Sequence, residues 1–187
     1  AALMTTTEAK LGFGKCKSKV QYVDNFQPMD YAGKWYEIYR DWDHHFWSET
    51  ICTKPTYTPT RRGMAMEREA VRKFWGWETT EGPYKVQKER VFSDGLYHIY
   101  KKERFWHRAD KYHHYVIDTD YDNYALVFGC DRLYFFWHYT WVSLLYRTDY
   151  AEQKHVAKSK EKLDEIGYDY VNYWVKSGTT CGFDAAP

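Results

Sequence analysis

The chain has 187 residues, with 27 Lys and Arg against 26 Asp and Glu, so its net charge is +1 when the histidines are neutral. That balance leaves no electrostatic footprint for nucleic acid or an anionic membrane, and no stretch of the sequence is apolar enough to cross a bilayer as a helix. Aromatic residues make up 20% of the chain, including 19 Tyr and 9 Trp, types that favour half-buried pleated surfaces and also line sites for flat or greasy ligands.

Residues 1–30 read as a loop-like extension containing Gly12, Gly14 and Pro28. From there the texture changes to short strand-like runs separated by turn signals. The first run is Lys34 to Trp42. The second, Cys52 to Thr60, is followed by the turn Arg61-Arg62-Gly63. The third is Met64 to Trp75, and the fourth, Tyr84 to Phe92, ends in the hairpin signal Ser93-Asp94-Gly95. The fifth and sixth are Leu96 to Arg104 and Tyr112 to Asp118. The seventh, Tyr124 to Cys130, follows the turn Tyr121-Asp122-Asn123, and the eighth is Trp137 to Arg147.

A helix is then predicted over 150–166. Asp149 with Glu152 reads as a capping box, Val156, Leu163 and Ile166 share one face, and Gly167 sits at the C-terminal glycine position. A last extended piece, Tyr170 to Val175, leads to Cys181. Eight hairpin-joined runs and one helix predict an all-β fold: an eight-stranded antiparallel up-and-down barrel with a C-terminal α-helix. The expected organisation is one domain, with an extension over 1–30, the barrel over 34–147, the helix over 150–166 and a C-terminal segment over 167–187.

Cys16, Cys52, Cys130 and Cys181 are even in number and far apart, with no CxxC pair to suggest zinc or redox work. They read as two disulfides formed in an oxidising compartment, and their spacing leaves all three pairings open.

Three short motifs then fall in order. Gly33-Lys34-Trp35 opens the first run, Thr119-Asp120-Tyr121 forms the turn between the sixth and seventh, and Arg147 closes the eighth. Together they resemble the three signature regions of the lipocalin family. Within it, the stretches Asp30 to Ile38 and Thr119 to Val127 are most similar to the group of apolipoprotein D, insecticyanin, bilin-binding protein and the crustacyanin subunits. The resemblance implies the barrel fold, the pairings Cys16–Cys130 and Cys52–Cys181, and a structural role for Gly33, Trp35, Thr119, Asp120, Tyr121 and Arg147. If strands alternate up and down, the three motifs meet at one closed end, where Arg147 can stack on Trp35.

The opposite, open end carries His44-His45-Phe46-Trp47, Trp75-Gly76-Trp77, Phe105-Trp106-His107 and Tyr134-Phe135-Phe136. Each connection holds at least two aromatics, so these loops are expected to cover a ligand or to meet a partner chain. Trp47, Trp77, Trp106 and Phe136 are the candidates there. The inner face follows from parity: with Trp35 inward as the resemblance implies, Glu37 and Tyr39 share its face. Tyr57 lines the second run, and Trp137, Tyr139, Trp141, Ser143 and Leu145 line the eighth.

Catalytic signals are lacking: the sequence has no nucleophile elbow, P-loop, G-x-G-x-x-G or HExxH. Cysteines committed to disulfides leave no thiol for the isomerase chemistry of some lipocalins. His113 and His114 alternate across a strand, and His44-His45 lacks a third ligand, so no metal site is expected. A histidine could instead hydrogen-bond a ligand propionate, and Arg40, Arg104 or Arg108 could pair with one. The reading is a secreted carrier, not an enzyme, requiring no cofactor and holding one hydrophobic small molecule. The resemblance favours a pigment, a biliverdin-type bilin ahead of a carotenoid. The alternatives are a colourless lipid such as a fatty acid or steroid, or a secreted structural protein that assembles into homo- or hetero-oligomers through its aromatic loops.

Overall fold

The computed structural model describes residues 11–14, 20–41, 50–61, 63–72, 78–88, 96–101, 110–133, 136–168, 170 and 174–176. In chain order the elements are β1 (Leu11–Phe13), α1 (Pro28–Tyr31), β2 (Gly33–Lys34), β3 (Tyr36–Asp41), β4 (Thr50–Thr60), β5 (Gly63–Arg72) and β6 (Glu78–Lys88). They continue with β7 (Leu96–Lys101), β8 (Asp110–Thr119), β9 (Tyr124–Leu133), β10 (Trp137–Tyr146), α2 (Gln153–Glu165) and β11 (Trp174–Lys176). No helix among the described residues is long and apolar enough to cross a membrane.

The eight expected runs are present, with the first split at Trp35 into β2 and β3 and the fourth starting six residues early, at Glu78. The hairpin signal Ser93-Asp94-Gly95 lies outside the described residues. One short strand, β1, escapes the sequence pattern, and another, β11, falls at the end of the extended piece expected over Tyr170 to Val175. β1 pairs with the start of β10, and β11 pairs with β3. Each is three residues long, too short to show a two-residue alternation.

All pairings are antiparallel, and the ladder runs β2-β4-β5-β6-β7-β8-β9-β10-β3-β11. It is an open path rather than a hydrogen-bonded ring. Its two ends are brought together covalently, because β2 pairs with β4, β3 pairs with β10, and only Trp35 separates β2 from β3. The prolines of β4 explain where the path stops. Pro55 presents its carbonyl to the β2 side, where it accepts from the Trp35 backbone N–H at 2.9 Å. The two-residue period points Pro59 the same way. Both missing N–H groups therefore face the seam, the edge position at which a strand tolerates proline.

Side chains sort into two apolar layers. Inside the sheet lie Trp35, Tyr57, Met64, Met66, Val116, Ala125, Val127 and Leu145, resting on Phe26 and Tyr31. Outside it, Ile38, Tyr115, Ile117, Leu126, Phe128, Val142, Leu144 and Tyr146 pack with Val156 and Leu163 of α2 and with Tyr168. This second layer explains why the alternate face of β10 is apolar: α2 covers it. Burying each such side chain contributes about 1.5–3 kcal/mol.

The end of α2 follows the expected chemistry. Gly167 takes φ +69, its N–H reaches the Asp164 carbonyl at 3.0 Å, and the Tyr168 N–H reaches that of Leu163 at 2.8 Å. Its start does not. The helix begins at Gln153, Glu152 at the N-cap makes no side-chain cap, and its carboxylate pairs with Lys154 at 2.7 Å. The Asp149–Glu152 capping box is therefore absent, and docking fixes the start instead. The His155 ring stacks on Tyr124 at 4.5 Å, and the Tyr146 hydroxyl donates to the Glu152 carbonyl at 3.2 Å.

Candidate functional site: the barrel interior

The closed end is assembled around Trp35. Its indole N–H donates to the Tyr31 carbonyl at 2.9 Å, and the Tyr31 ring lies 5.0 Å away, centroid to centroid. The Arg147 guanidinium carbon lies 3.7 Å from the Trp35 ring centroid. Arg147 also donates from Nε to Tyr121 O at 3.0 Å, from Nη1 to Lys34 O at 3.2 Å, and from Nη2 to Asp30 O at 2.9 Å. Gly33 is required beneath it: its φ is +102, and a Cβ there would stand 3.2 Å from Arg147 Nη1.

The turn that supplies Tyr121 is held by its own side chains. Thr119 Oγ1 donates to Tyr124 O at 2.7 Å and accepts from Tyr121 N–H at 3.0 Å. Asp120 accepts from the backbone N–H groups of Asn123 and Tyr124 at 2.8 and 3.0 Å. Partial burial would raise the Asp120 pKa, but these bonds and that from the Asn123 side chain outweigh it and hold the carboxyl below its usual range.

Above this floor the interior turns polar. Ser143 Oγ donates to Glu37 Oε1 at 2.5 Å, and Arg40 Nη1 lies 3.3 Å from Glu37 Oε2, all three residues being buried. Across the barrel, the Tyr57 hydroxyl stands 3.5 Å from His114 Nε2. Burial pushes the Tyr57 pKa up and pushes that of His114 down to about 4, so both groups are uncharged at neutral pH. The His114 ring also lies 5.9 Å from the Trp141 indole. Gly129 makes that approach feasible. It is the β9 residue in register with both His114 and Trp141, and a Cβ on it would fall 1.9 Å from Trp141 Cε2.

Several sequence-chosen residues meet here. Tyr57, Trp141 and Ser143 are interior, and Tyr139 is partly buried further up β10, in register with Leu11. Tyr39 is corrected. A bulge in the β3–β10 pairing sets Leu145 opposite Glu37 but Leu144 opposite Tyr39, so Ile38 is the extra residue. Parity flips after it, Tyr39 packs in the outer layer toward α2, and Arg40 takes the inward place. Trp137 is corrected too: it is 45% exposed and forms a rim cluster with Phe13 at 5.6 Å, while Phe136, 63% exposed, stacks on Phe13 at 5.9 Å. Trp47, Trp77, Trp106, Arg104, Arg108, His44 and His45 lie outside the described residues. So do Cys16 and Cys181. Cys52 and Cys130 are buried, and no cysteine among the described residues is free. Among those residues no group of three His, Cys, Asp or Glu is placed to hold a metal ion.

His114, Gly129 and Arg68 were not singled out as site residues by the sequence. Gly129 offered one signal, a glycine inside an otherwise bulky strand, which marks a close approach.

No protein-family model matches the chain. Rat (Rattus norvegicus) apolipoprotein D is 26% identical over 186 residues, spanning 97% of this chain and 92% of its own. Chicken (Gallus gallus) purpurin is 27% identical over 137 residues, 71% of this chain and 69% of its own. Among solved structures, insecticyanin from the tobacco hornworm Manduca sexta superposes with a TM-score of 0.72 at 20% identity, covering 91% of this chain and 89% of its own. Crustacyanin H1 from the lobster Homarus americanus gives 0.66 at 21% identity, covering 89% and 88%. The chain is similar in sequence to lipocalins along nearly its whole length and shares their fold.

Proposed function

We propose that this protein carries one hydrophobic small molecule in the interior of its barrel. The observation that carries the reading is the layered interior: an aromatic floor sealed by Arg147, apolar walls from Met64, Met66, Val116, Val127 and Leu145, and the uncharged pair Tyr57 and His114 above them. Apolar walls with a few placed polar groups are the usual make-up of a small-molecule site, and a site built on strands loses little entropy on binding. The favoured ligand is a pigment, a biliverdin-type bilin or a carotenoid. The support is the likeness to insecticyanin and crustacyanin together with the aromatic density of the chain. A colourless fatty acid or steroid is the alternative. The test is an absorption spectrum of natively purified protein followed by solvent extraction. A visible band that leaves with the extract supports the pigment, a colourless lipid extract supports the alternative, and an empty extract overturns the carrier reading.

The rim trio Phe13, Phe136 and Trp137 favours a second reading, contact with another protein chain at the open end. Sedimentation of the native protein and of F136S tests it: a monomer in both cases removes self-assembly. The carrier is expected to be secreted, with Cys16–Cys130 and Cys52–Cys181 disulfides, which non-reducing peptide mapping would read directly.

A further inference from the structure

Resting on the carrier reading, we infer that His114 is the polar anchor of the ligand site, and that it selects an uncharged ligand bearing a hydrogen-bond-accepting oxygen, such as an alcohol or ketone, over a carboxylate.

His114 is 5% exposed, midway along β8, and its ring sits against Trp141 on the interior side. The Tyr57 hydroxyl and His114 Nε2 are 3.5 Å apart, and in the tautomer we infer, with Tyr57 donating, the neutral imidazole carries its proton on Nδ1. Nδ1 is buried and makes no hydrogen bond among the described residues. An unmade buried donor is costly, so a ligand that supplies an acceptor there gains what the empty protein lacks. The missing Cβ of Gly129 leaves room for the Trp141 indole beside the imidazole, their ring centroids 5.9 Å apart.

The preference for an uncharged oxygen follows from the charges around it. A neutral imidazole offers one hydrogen bond and no countercharge, and an unpaired carboxylate is expensive to bury. Among the described residues, the buried guanidinium of Arg40 already has its countercharge, with Nη1 3.3 Å from Glu37 Oε2. A bilin's propionates or a fatty acid would therefore be disfavoured relative to a hydroxylated or keto-bearing polyene or a steroid.

Retinol and retinoic acid share one skeleton and differ in the terminal oxygen group, so they are suitable probes. Their affinities at neutral pH can be read from quenching of tryptophan emission. The wild-type protein is expected to bind retinol about tenfold more tightly than retinoic acid, the scale of one buried hydrogen bond. H114F should lose about tenfold in retinol affinity while retinoic acid changes less than about twofold, and H114Q, which keeps a donor, should retain much of the preference. Retinoic acid binding as tightly as retinol, or an unchanged retinol affinity in H114F, overturns the inference and leaves the carrier reading standing. If the wild-type protein binds neither probe, the inference falls, and solvent extraction of the native protein decides the carrier reading separately. Should H114F not fold, the wild-type preference decides alone.

Discussion

Arg147 and Trp35 are 112 positions apart in the sequence, yet the guanidinium carbon of one lies 3.7 Å from the ring centroid of the other. The contact is electrostatic on one face and hydrogen-bonded at the rim, since the three nitrogens of Arg147 also bind the carbonyls of Tyr121, Lys34 and Asp30. Replacing Arg147 with Ala removes the stacking and strands three carbonyls, which should cost about 2–3 kcal/mol, whereas R147K, keeping a charge but not the planar fork, should cost about 1 kcal/mol. Urea denaturation of the three proteins measures both. A cost for R147A below about 0.5 kcal/mol, the range of an ordinary surface change, would show that the closed end holds without the arginine.

Asp41 links the barrel to the segment after α2. Its buried carboxylate accepts from Val142 N–H at 2.8 Å and from the Tyr168 hydroxyl. D41A leaves both donors without that acceptor and is expected to lose about 2–4 kcal/mol, more than D41N, which keeps one oxygen acceptor. Limited proteolysis should find D41A cut beyond Ile166 sooner than the wild type. Equal cutting rates would mean that Tyr168 is held by its packing on Phe128 rather than by the aspartate.

Burial of His114 makes stability depend on pH. Its folded pKa of about 4 lies below the ordinary 6.5, so the unfolded chain takes up a proton that the folded chain refuses. The stability this group contributes is intact above pH 6.5, declines as pH falls from 6.5 toward 4, and changes no further below that. The full loss is of order 3 kcal/mol. Denaturation midpoints of wild type and H114F at pH 7.5, 5.5 and 4.5 isolate the effect, since carboxylate titrations are common to both. The gap between the two proteins should move in favour of H114F as the solution becomes more acid, and a constant gap would refute the assignment.

Gly129 carries a packing prediction. A methyl group on it meets Trp141 Cε2 at 1.9 Å, so G129A must displace the indole. Overpacking of this kind costs about 1–3 kcal/mol. Because the displaced ring moves within the interior, the near-ultraviolet circular dichroism spectrum should change along with the melting temperature. An unaltered spectrum would place Trp141 elsewhere.

The closed end was legible in the sequence because its chemistry is local or motif-borne. Gly167 satisfies a backbone need that residue type alone reveals, whereas Gly33 and the Thr119–Tyr121 turn were marked by their resemblance to family motifs. Tyr39 was not legible, because the bulge that turns it outward is a property of the β3–β10 pairing rather than of β3. The start of α2 was misread for a similar reason. Glu152 and Asp149 match a cap pattern, but contacts with Tyr124 and Tyr146 of the barrel outweigh the local preference. His114 was weighed only with His113 as a metal pair and set aside, since its burial depends on Tyr57 and Trp141, which lie on strands remote in sequence.

The arginine that seals the floor also sets the order in which the molecule can be finished. One of its hydrogen bonds joins residues 117 positions apart, and its partners at Asp30, Lys34 and Tyr121 are all synthesised before it. Contacts of such long sequence separation are slow to form, because a large loop must close first. A nascent chain that has reached Tyr146 owns every strand from β1 to β10 but lacks the residue that fastens their lower ends. Until Arg147 emerges, Trp35 has no cation to cover it, and the barrel's aromatic floor is exposed to whatever holds unfinished chains in solution.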